Sequence, residues 1–401
     1  MPLISVVMAN YRAGRKIVRA LESVLHQTVS DLEVIVSDDA SGDDTLDFVR
    51  GFIARDPRVR LVTADGNGGP ARARNRALDI ARGQWIAVVD SDDIIHPERF
   101  ERLLAAASHF RADIVADDLL HFHEDGSPAR FLLPEDRRGA FAVTPEEWIL
   151  AGIRPGTAPL GYLKPLISAS VLGPARYDEN LRIGEDYDLI LRLLLAGARM
   201  HVVAEPWYLY RRHAGSISHR LSAGDVAAMI DNQRRLVERQ GPFPPAVTAA
   251  LAERMARLTR SHAYERLVAA IKRRDVAGAV ALLARNPRLL ANLRQSLADR
   301  RRRTAAPPTR QAAAVTELHL GASLEPDPAH RRVPAYRPPS GAAWTGGTER
   351  ALWAELADLG RGDLKVVCAD AAGLYAAGFI PAENIELIAA APARQAGIAA
   401  Q

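Results

Sequence analysis

Asp90-Ser91-Asp92-Asp93 follows the apolar run Trp85-Ile86-Ala87-Val88-Val89 without a break. Carboxylates at i and i+2, where a buried strand opens into a loop, can converge on one hard divalent cation, and a cation held there can neutralise a diphosphate. Solvated turns carry the same string, so this spacing alone leaves a plain turn open. A second acidic cluster, Ser37-Asp38-Asp39-Ala40-Ser41-Gly42-Asp43-Asp44-Thr45, closes the apolar run Leu32 to Val36. A third, Glu185-Asp186, opens a stretch with apolar residues at helical spacing (Tyr187, Leu189, Ile190, Leu191, Leu193, Leu194). A carboxylate at that point can remove a proton from an attacking hydroxyl. It also suits the positive end of a helix, which makes simple capping the competing reading.

These residues need a frame that brings them together, and the first 220 residues supply one. Leu3–Met8, Leu32–Val36 and Trp85–Val89 read as apolar buried strands and Val59–Thr63 as a further strand. Between them lie helical patterns at Arg15–His26, from Thr45 through Ile53, and at Ala71–Ala81, the last preceded by the turn cluster Gly66-Asn67-Gly68-Gly69-Pro70. Strands spaced roughly 25–30 residues apart with helices between them imply right-handed crossovers and a mainly parallel sheet. Ligands of such sheets bind beyond the carboxyl ends of the strands, where the first two acidic clusters fall.

The run Ser5-Val6-Val7-Met8-Ala9-Asn10-Tyr11, then Asp38-Asp39-Ala40-Ser41 with Asp44-Thr45, Ala73-Arg74-Asn75 and Asp90-Ser91-Asp92-Asp93, resembles the nucleotide-binding half of the family 2 glycosyltransferases. Gly184-Glu185-Asp186-Tyr187-Asp188-Leu189 resembles that family's acceptor-site motif, and Tyr210-Arg211-Arg212-His213-Ala214-Gly215-Ser216-Ile217-Ser218 the segment that closes its domain. The resemblance spans about residues 1–220 and implies a GT-A fold, a Rossmann-like α/β domain with a mainly parallel sheet. It implies that Asp39 accepts a hydrogen bond from a uracil ring and that Tyr11 and Ala9 lie against the base. Arg74 and Arg211 would approach the nucleotide and its diphosphate. Asp90 would serve the ribose or, through water, the metal; Asp92, with His213, would hold Mn2+ or Mg2+. Asp186 would be the catalytic base of an inverting transfer and Glu185 would orient the acceptor. A UDP-sugar donor and a saccharide or lipid-linked saccharide acceptor in surface polysaccharide assembly complete the expectation. The Gln-x-x-Arg-Trp segment of processive synthases is missing, which favours addition of single sugars. Asp93 is expected to cap the helix entered through His96-Pro97-Glu98. Residues 110–180 contain no decodable motif; Trp148, Tyr162, Lys164 and Tyr177 are candidate sugar contacts only.

Two other classes compete. A sugar-nucleotide nucleotidyltransferase would carry a glycine-rich basic loop after its first strand, and Met8-Ala9-Asn10-Tyr11-Arg12-Ala13-Gly14 matches that poorly. The other is a non-catalytic scaffold on the same fold.

Beyond residue 220 the pattern turns helical, giving an expected basic appendage over 221–303, a Pro-rich linker over 304–345 and a small α/β or docking element over 346–401. The formal charge of +4 is uneven: residues 254–303 carry fourteen Arg and Lys against three Asp and Glu. A partner of opposite charge fits there, and an anionic membrane surface is expected rather than nucleic acid; a solvated helical face explains the charge equally well. The single cysteine, Cys368, excludes an intrachain disulfide and reads as a small buried residue. Without a leader pattern or a long apolar span, the sequence reads as cytoplasmic, with attachment to the inner membrane face left open.

Overall fold

The computed structural model describes residues 1–290 except 135, 214 and 216–220, and beyond them 293, 317–320, 353–354, 356–358, 363–368, 375–381 and 384–389. The chain opens with β1 (Ile4–Asn10), α1 (Lys16–Leu25), β2 (Leu32–Asp38), α2 (Thr45–Ile53), β3 (Val59–Thr63), α3 (Pro70–Leu78) and β4 (Trp85–Val88). β1 to β4 pair in parallel in the order β3-β2-β1-β4. β1, β2 and β4 are apolar runs buried by helices on the sheet faces, which is why they read as continuous rather than alternating, whereas β3 at the sheet edge is only partly buried.

After β4 come β5 (Ile94–Ile95), α4 (Arg99–Phe110), β6 (Ile114–His123), β7 (Arg130–Phe131), β8 (Ala140–Val143) and α5 (Pro145–Leu150). A 3-10 turn at Leu160–Tyr162 leads to β9 (Leu166–Ser168), α6 (Ala169–Leu172), α7 (Glu185–Leu195) and β10 (Met200–Arg212). The ten-stranded sheet continues β4-β9-β6-β10-β5, with β7 on β6 and β8 on β10. β9 is antiparallel to both neighbours, so β4, β6 and β10 all point the same way. The register of β10 on β6 shifts between Val203 and Tyr208. Pro206 lies within that shift, where it has no N–H to offer the ladder. The carboxyl ends of β1, β2, β4 and β10 therefore open at one edge.

Three helices follow: α8 (Ala223–Gln240), α9 (Pro245–Lys272) and α10 (Val276–Arg285). α8 begins with a capping box between Ser222 and Asp225, and Arg182 ties that turn to the loop before α7 through Asp225 (2.8 Å).

Within the segment expected as linker, Glu317–Leu320 is instead a strand, β11, and Leu320 is buried. Four residues flanked by prolines give too short an alternation to be read locally, and the pairing partner lies far along the chain. β11 pairs in parallel with β12 (Asp363–Cys368), and β12 with β13 (Asn384–Ala389). The rest of 304–345 lies outside the described residues. Cys368 is buried.

This second sheet docks on the first domain through aromatic residues. Trp353 and Phe379 stack at 4.2 Å, and His96 lies 4.4 Å from the Tyr375 ring and 4.7 Å from Phe379. Trp207 Nε1 donates to Tyr375 Oη (2.9 Å), and the Ala129 N–H donates to Asp358 (3.0 Å). His96 is used at both nitrogens: Nε2 bonds the Tyr375 carbonyl (2.9 Å) and Nδ1 accepts from the Glu98 N–H (3.2 Å). That arrangement fits the neutral ring with its proton on Nε2.

Burial pushes the His96 imidazole down from 6.5 to about 4. The unfolded chain therefore binds the extra proton first, and folding loses stability as pH falls from 6.5 through 4. The full loss is roughly 3 kcal/mol, an upper bound set by that shift. Urea unfolding followed by tryptophan fluorescence should show a midpoint falling over this window, and His96→Gln should flatten that limb.

Candidate functional site

A cleft of about 440 Å3 lies at the open sheet edge. Its walls include Ala9 and Tyr11 after β1, Asp39 after β2, Arg74 on α3, Asp90 and Asp92 after β4, Lys164 before β9, Glu185 and Asp186 on α7, and His213 after β10. Segments far apart in sequence thus supply one pocket.

Its floor is a buried ring of charges. Arg74 Nη2 meets Asp90 Oδ1 at 2.8 Å, and Lys164 Nζ meets Asp90 Oδ2 at 2.8 Å. The same cations face Asp186: Arg74 Nη1 lies 3.3 Å from Oδ1 and Lys164 Nζ 3.0 Å from Oδ2. Arg74 Nη1 also donates to Glu185 Oε1 at 2.5 Å. Burial opposes ionisation of Asp90, but Lys164 and then Arg74 hold its carboxyl well below the usual carboxylate range. Glu185 moves the other way: burial and the adjacent Asp186 raise it, against the pull of Arg74. Burial opposes charge on Lys164 too, yet Asp186 and Asp90 keep the ammonium firmly protonated.

Gly184 sets the start of α7. Its φ of +89° is a conformation that L side chains rarely adopt, and it turns the chain so that Glu185 and Asp186 enter the cleft at a helix N-terminus. Gly69 (φ +88°) does the same before α3 and Arg74. The Gly68 and Gly69 N–H groups both donate to Asp39 Oδ2 (2.8 and 2.7 Å), while Arg76 donates to Oδ1 (2.9 Å). Asp39 therefore lines the cleft and also fixes the turn leading into α3. Tyr11 is 45% exposed, with its ring under the Arg12 guanidinium (5.2 Å).

Asp92 and His213 form the opposite wall, with Nε2 and Oδ2 2.8 Å apart. Among the described residues no group of three His, Cys, Asp or Glu is arranged to enclose a metal. A two-donor set still fits Mg2+ or Mn2+, which keep waters and take phosphate oxygens as ligands. Both side chains are partly open to the cleft, whereas both Asp90 oxygens are already engaged.

Two expectations change. Asp93 does not cap a helix: it is buried, accepting from Tyr208 Oη (2.7 Å) and the Arg211 N–H (2.7 Å). Burial, with Asp92 and Asp90 beside it, pushes its carboxyl up. Helix α4 starts later, at Arg99, beyond Asp93's reach. Arg211 is not among the cleft-lining residues. Its Nε donates to the Asp92 carbonyl (2.7 Å) and its guanidinium lies over Phe122 (4.9 Å), so it braces the acidic loop from behind. Arg211 lies within β10, one residue before its end, and position at a strand end does not reveal which way a long side chain turns.

Of the undecoded residues, Tyr162 and Lys164 line the cleft. Trp148 is buried and donates to the Tyr187 carbonyl (3.1 Å), and Tyr177 is buried beneath Arg74 (5.5 Å). Sequence reasoning offered Lys164 only as a candidate sugar contact and missed its place between Asp90 and Asp186. No local pattern signals it, because its partners lie 74 residues before and 22 residues after it. The buried pair Arg99–Asp117 (2.8 Å) carried no signal either.

The parallel sheet and the carboxylates gathered at its open edge define an α/β domain with an acidic cleft at the carboxyl ends of its strands. The model for "Glycosyl transferase family 2" matches residues 5–152. Succinoglycan biosynthesis protein ExoO of Rhizobium meliloti (strain 1021) is 35% identical over 308 residues, which is 76% of this chain and 88% of that protein. Glycosyltransferase GlyG of Streptococcus pneumoniae serotype 4 is 30% identical over 225 residues, covering 54% of this chain and 72% of the relative. The crystal structure of S. aureus TarS 1-349 in complex with UDP-GlcNAc superposes with a TM-score of 0.53 at 18% identity, over 70% of this chain and 90% of that one. The chain belongs to glycosyl transferase family 2 and is a glycosyltransferase with the GT-A fold.

Removing one member of the ring should expose its cost. Arg74→Ala leaves Asp90, Glu185 and Asp186 short of a buried cation and should lower stability by about 3–5 kcal/mol. Chemical denaturation at pH 7.5 and pH 5 checks this: the deficit should narrow at the lower pH as the stranded carboxyls take up protons.

Proposed function

We propose that the protein transfers a sugar from a nucleoside diphosphate, a UDP-sugar in the first instance, to a saccharide hydroxyl with inversion. The observation that carries this reading is the convergence of Asp39, Asp90, Asp92 and Asp186 on one cleft. Ala9 and Tyr11 would pack against the base, Asp39 would accept from its imide, and Asp90 would face the ribose. Asp186 would take the acceptor proton as that oxygen attacks the anomeric carbon, and Glu185 would orient the acceptor. A divalent cation held by Asp92 and His213 would supply the Lewis acid that neutralises the departing diphosphate. Arg211 would act indirectly, by fixing the loop that carries Asp92. UDP-GlcNAc is bound in the TarS structure; at 18% identity that likeness carries the fold, so the donor proposal rests on this chain's own cleft. ExoO is named for succinoglycan biosynthesis, which supports placing the acceptor in surface polysaccharide assembly.

A lipid-linked acceptor would bring the protein to a membrane surface. No helix among the described residues is long and apolar enough to cross one. The tip formed by α9 and α10 instead exposes Ile271, Val276 (73%), Val280 (60%) and Leu290. Around them Arg273, Arg274, Arg285 and Arg288 form no ion pair among the described residues. Exposed aliphatics within a basic collar suit an anionic bilayer, and a second copy would meet like charge.

Screening purified protein against nucleotide sugars should reveal one that releases its nucleoside diphosphate, not pyrophosphate. Asp186→Asn should cut that turnover by more than about a hundredfold while calorimetric UDP affinity stays within about threefold. Retained turnover would refute the base assignment. Flotation with phosphatidylglycerol vesicles should recover wild type but not Val276→Asp/Val280→Asp, and equal recovery would refute the membrane contact.

A further inference from the structure

One ammonium group joins the donor and acceptor sides of the cleft. Lys164 is buried, and its Nζ sits 2.8 Å from Asp90 Oδ2 and 3.0 Å from Asp186 Oδ2. Its backbone is pinned, because the carbonyl accepts from the Arg99 guanidinium, which is itself wholly buried and bidentate on Asp117. The four-carbon stem leaves the ammonium free to change partners while the main chain stays fixed. With Nζ in place, each Asp186 oxygen faces a cation: Arg74 on Oδ1 and Lys164 on Oδ2. An acceptor hydroxyl arriving at the empty enzyme therefore meets an occupied base.

A diphosphate entering the same cleft offers Lys164 a partner of higher charge than either carboxylate. We propose that Lys164 is an interlock: donor binding draws its ammonium off Asp186 and onto the diphosphate, so the base is released only when a leaving group is present. This rests on the reading of Asp186 as base. The acceptor proton then passes to Asp186 Oδ2, and the oxygen's electron pair forms the new bond to the anomeric carbon. The old carbon–oxygen pair leaves with the diphosphate, whose added charge meets the Lys164 N–H groups. Arg74 cannot play this part as readily, since its rigid fork is also committed to Glu185.

A plain structural brace would also need Lys164, so the test requires a readout that bracing does not move. With the nucleotide sugar found by the screen, Lys164→Ala should lower kcat by about a hundredfold and raise donor KM by at least about threefold, since the ammonium meets the diphosphate on binding. Ethylammonium chloride should restore kcat at least about tenfold at constant ionic strength, sodium chloride should not, and the amine should restore nothing in an Asp186→Asn background. A kcat within about threefold of wild type, or a loss the amine does not relieve, overturns the interlock. Should Lys164→Ala melt below the assay temperature, Lys164→Arg decides: it keeps the charge but not the compact mobile head. Unchanged melting with kcat down at least about tenfold supports the interlock, and full activity overturns it. Wild-type turnover by Asp186→Asn would instead overturn the base reading, so the two failures are told apart.

Discussion

The molecule is organised around an alternation of charge that no single segment can complete. Asp90, Arg74, Asp186 and Lys164 form a closed circuit in which each carboxylate places one oxygen on Arg74 and the other on Lys164. Taking any of these groups out of water is costly by itself, and the expense is tolerable only because all are present and oriented. The arrangement ties the loop after β4, the third helix, the approach to β9 and the start of α7 to one point. Buried charge networks of this type need not raise net stability, but they do disfavour misaligned packings, since a shift of a few ångströms strands an ion. In this chain the same residues line the cleft, so the constraint that fixes the fold locally also sets the chemistry the cleft can perform.

Behind the ring lies a second layer of positioning. Tyr208 connects Asp93 to the Asp90 N–H, and Arg211 connects Asp93 to the Asp92 carbonyl, so β10 holds the acidic loop by four polar contacts. Arg99, wholly buried on α4, lies under the Tyr208 ring (4.9 Å) while it fixes the Lys164 carbonyl. The acidic loop and the Lys164 main chain are thereby braced from a common interior.

Much of the first domain was legible because its signals are local. Buried parallel strands are continuous apolar runs and their crossover helices carry apolar residues at helical spacing, so β1 to β4 follow from periodicity alone. The carboxylates at the strand ends and at the head of α7 were legible for the same reason. What was not legible depends on partners distant in sequence. Lys164 and Asp117, in the undecoded stretch, and Arg99 just before it are isolated charges until the sheet brings their counterparts to them. β9 inserts antiparallel between strands that otherwise agree in direction, and three residues cannot announce that. β11 is a four-residue strand among prolines, stabilised by pairing with a strand more than forty residues away. Arg211 and Asp93 were placed correctly along the chain but not in direction, because spacing locates a residue and packing aims it.

The aromatic seam between the two sheets bears on how the catalytic domain can be handled. Trp207, whose indole N–H is met by Tyr375, immediately precedes the tyrosine that steadies the acidic loop, and His96 follows that loop by only three residues. A shortened chain ending near residue 290 would leave an indole and an imidazole facing solvent at the back of the cleft. Preparations trimmed to the first sheet and its helices would thus gain a sticky surface and lose a buttress at once, a poor starting material for crystallisation or inhibitor screening.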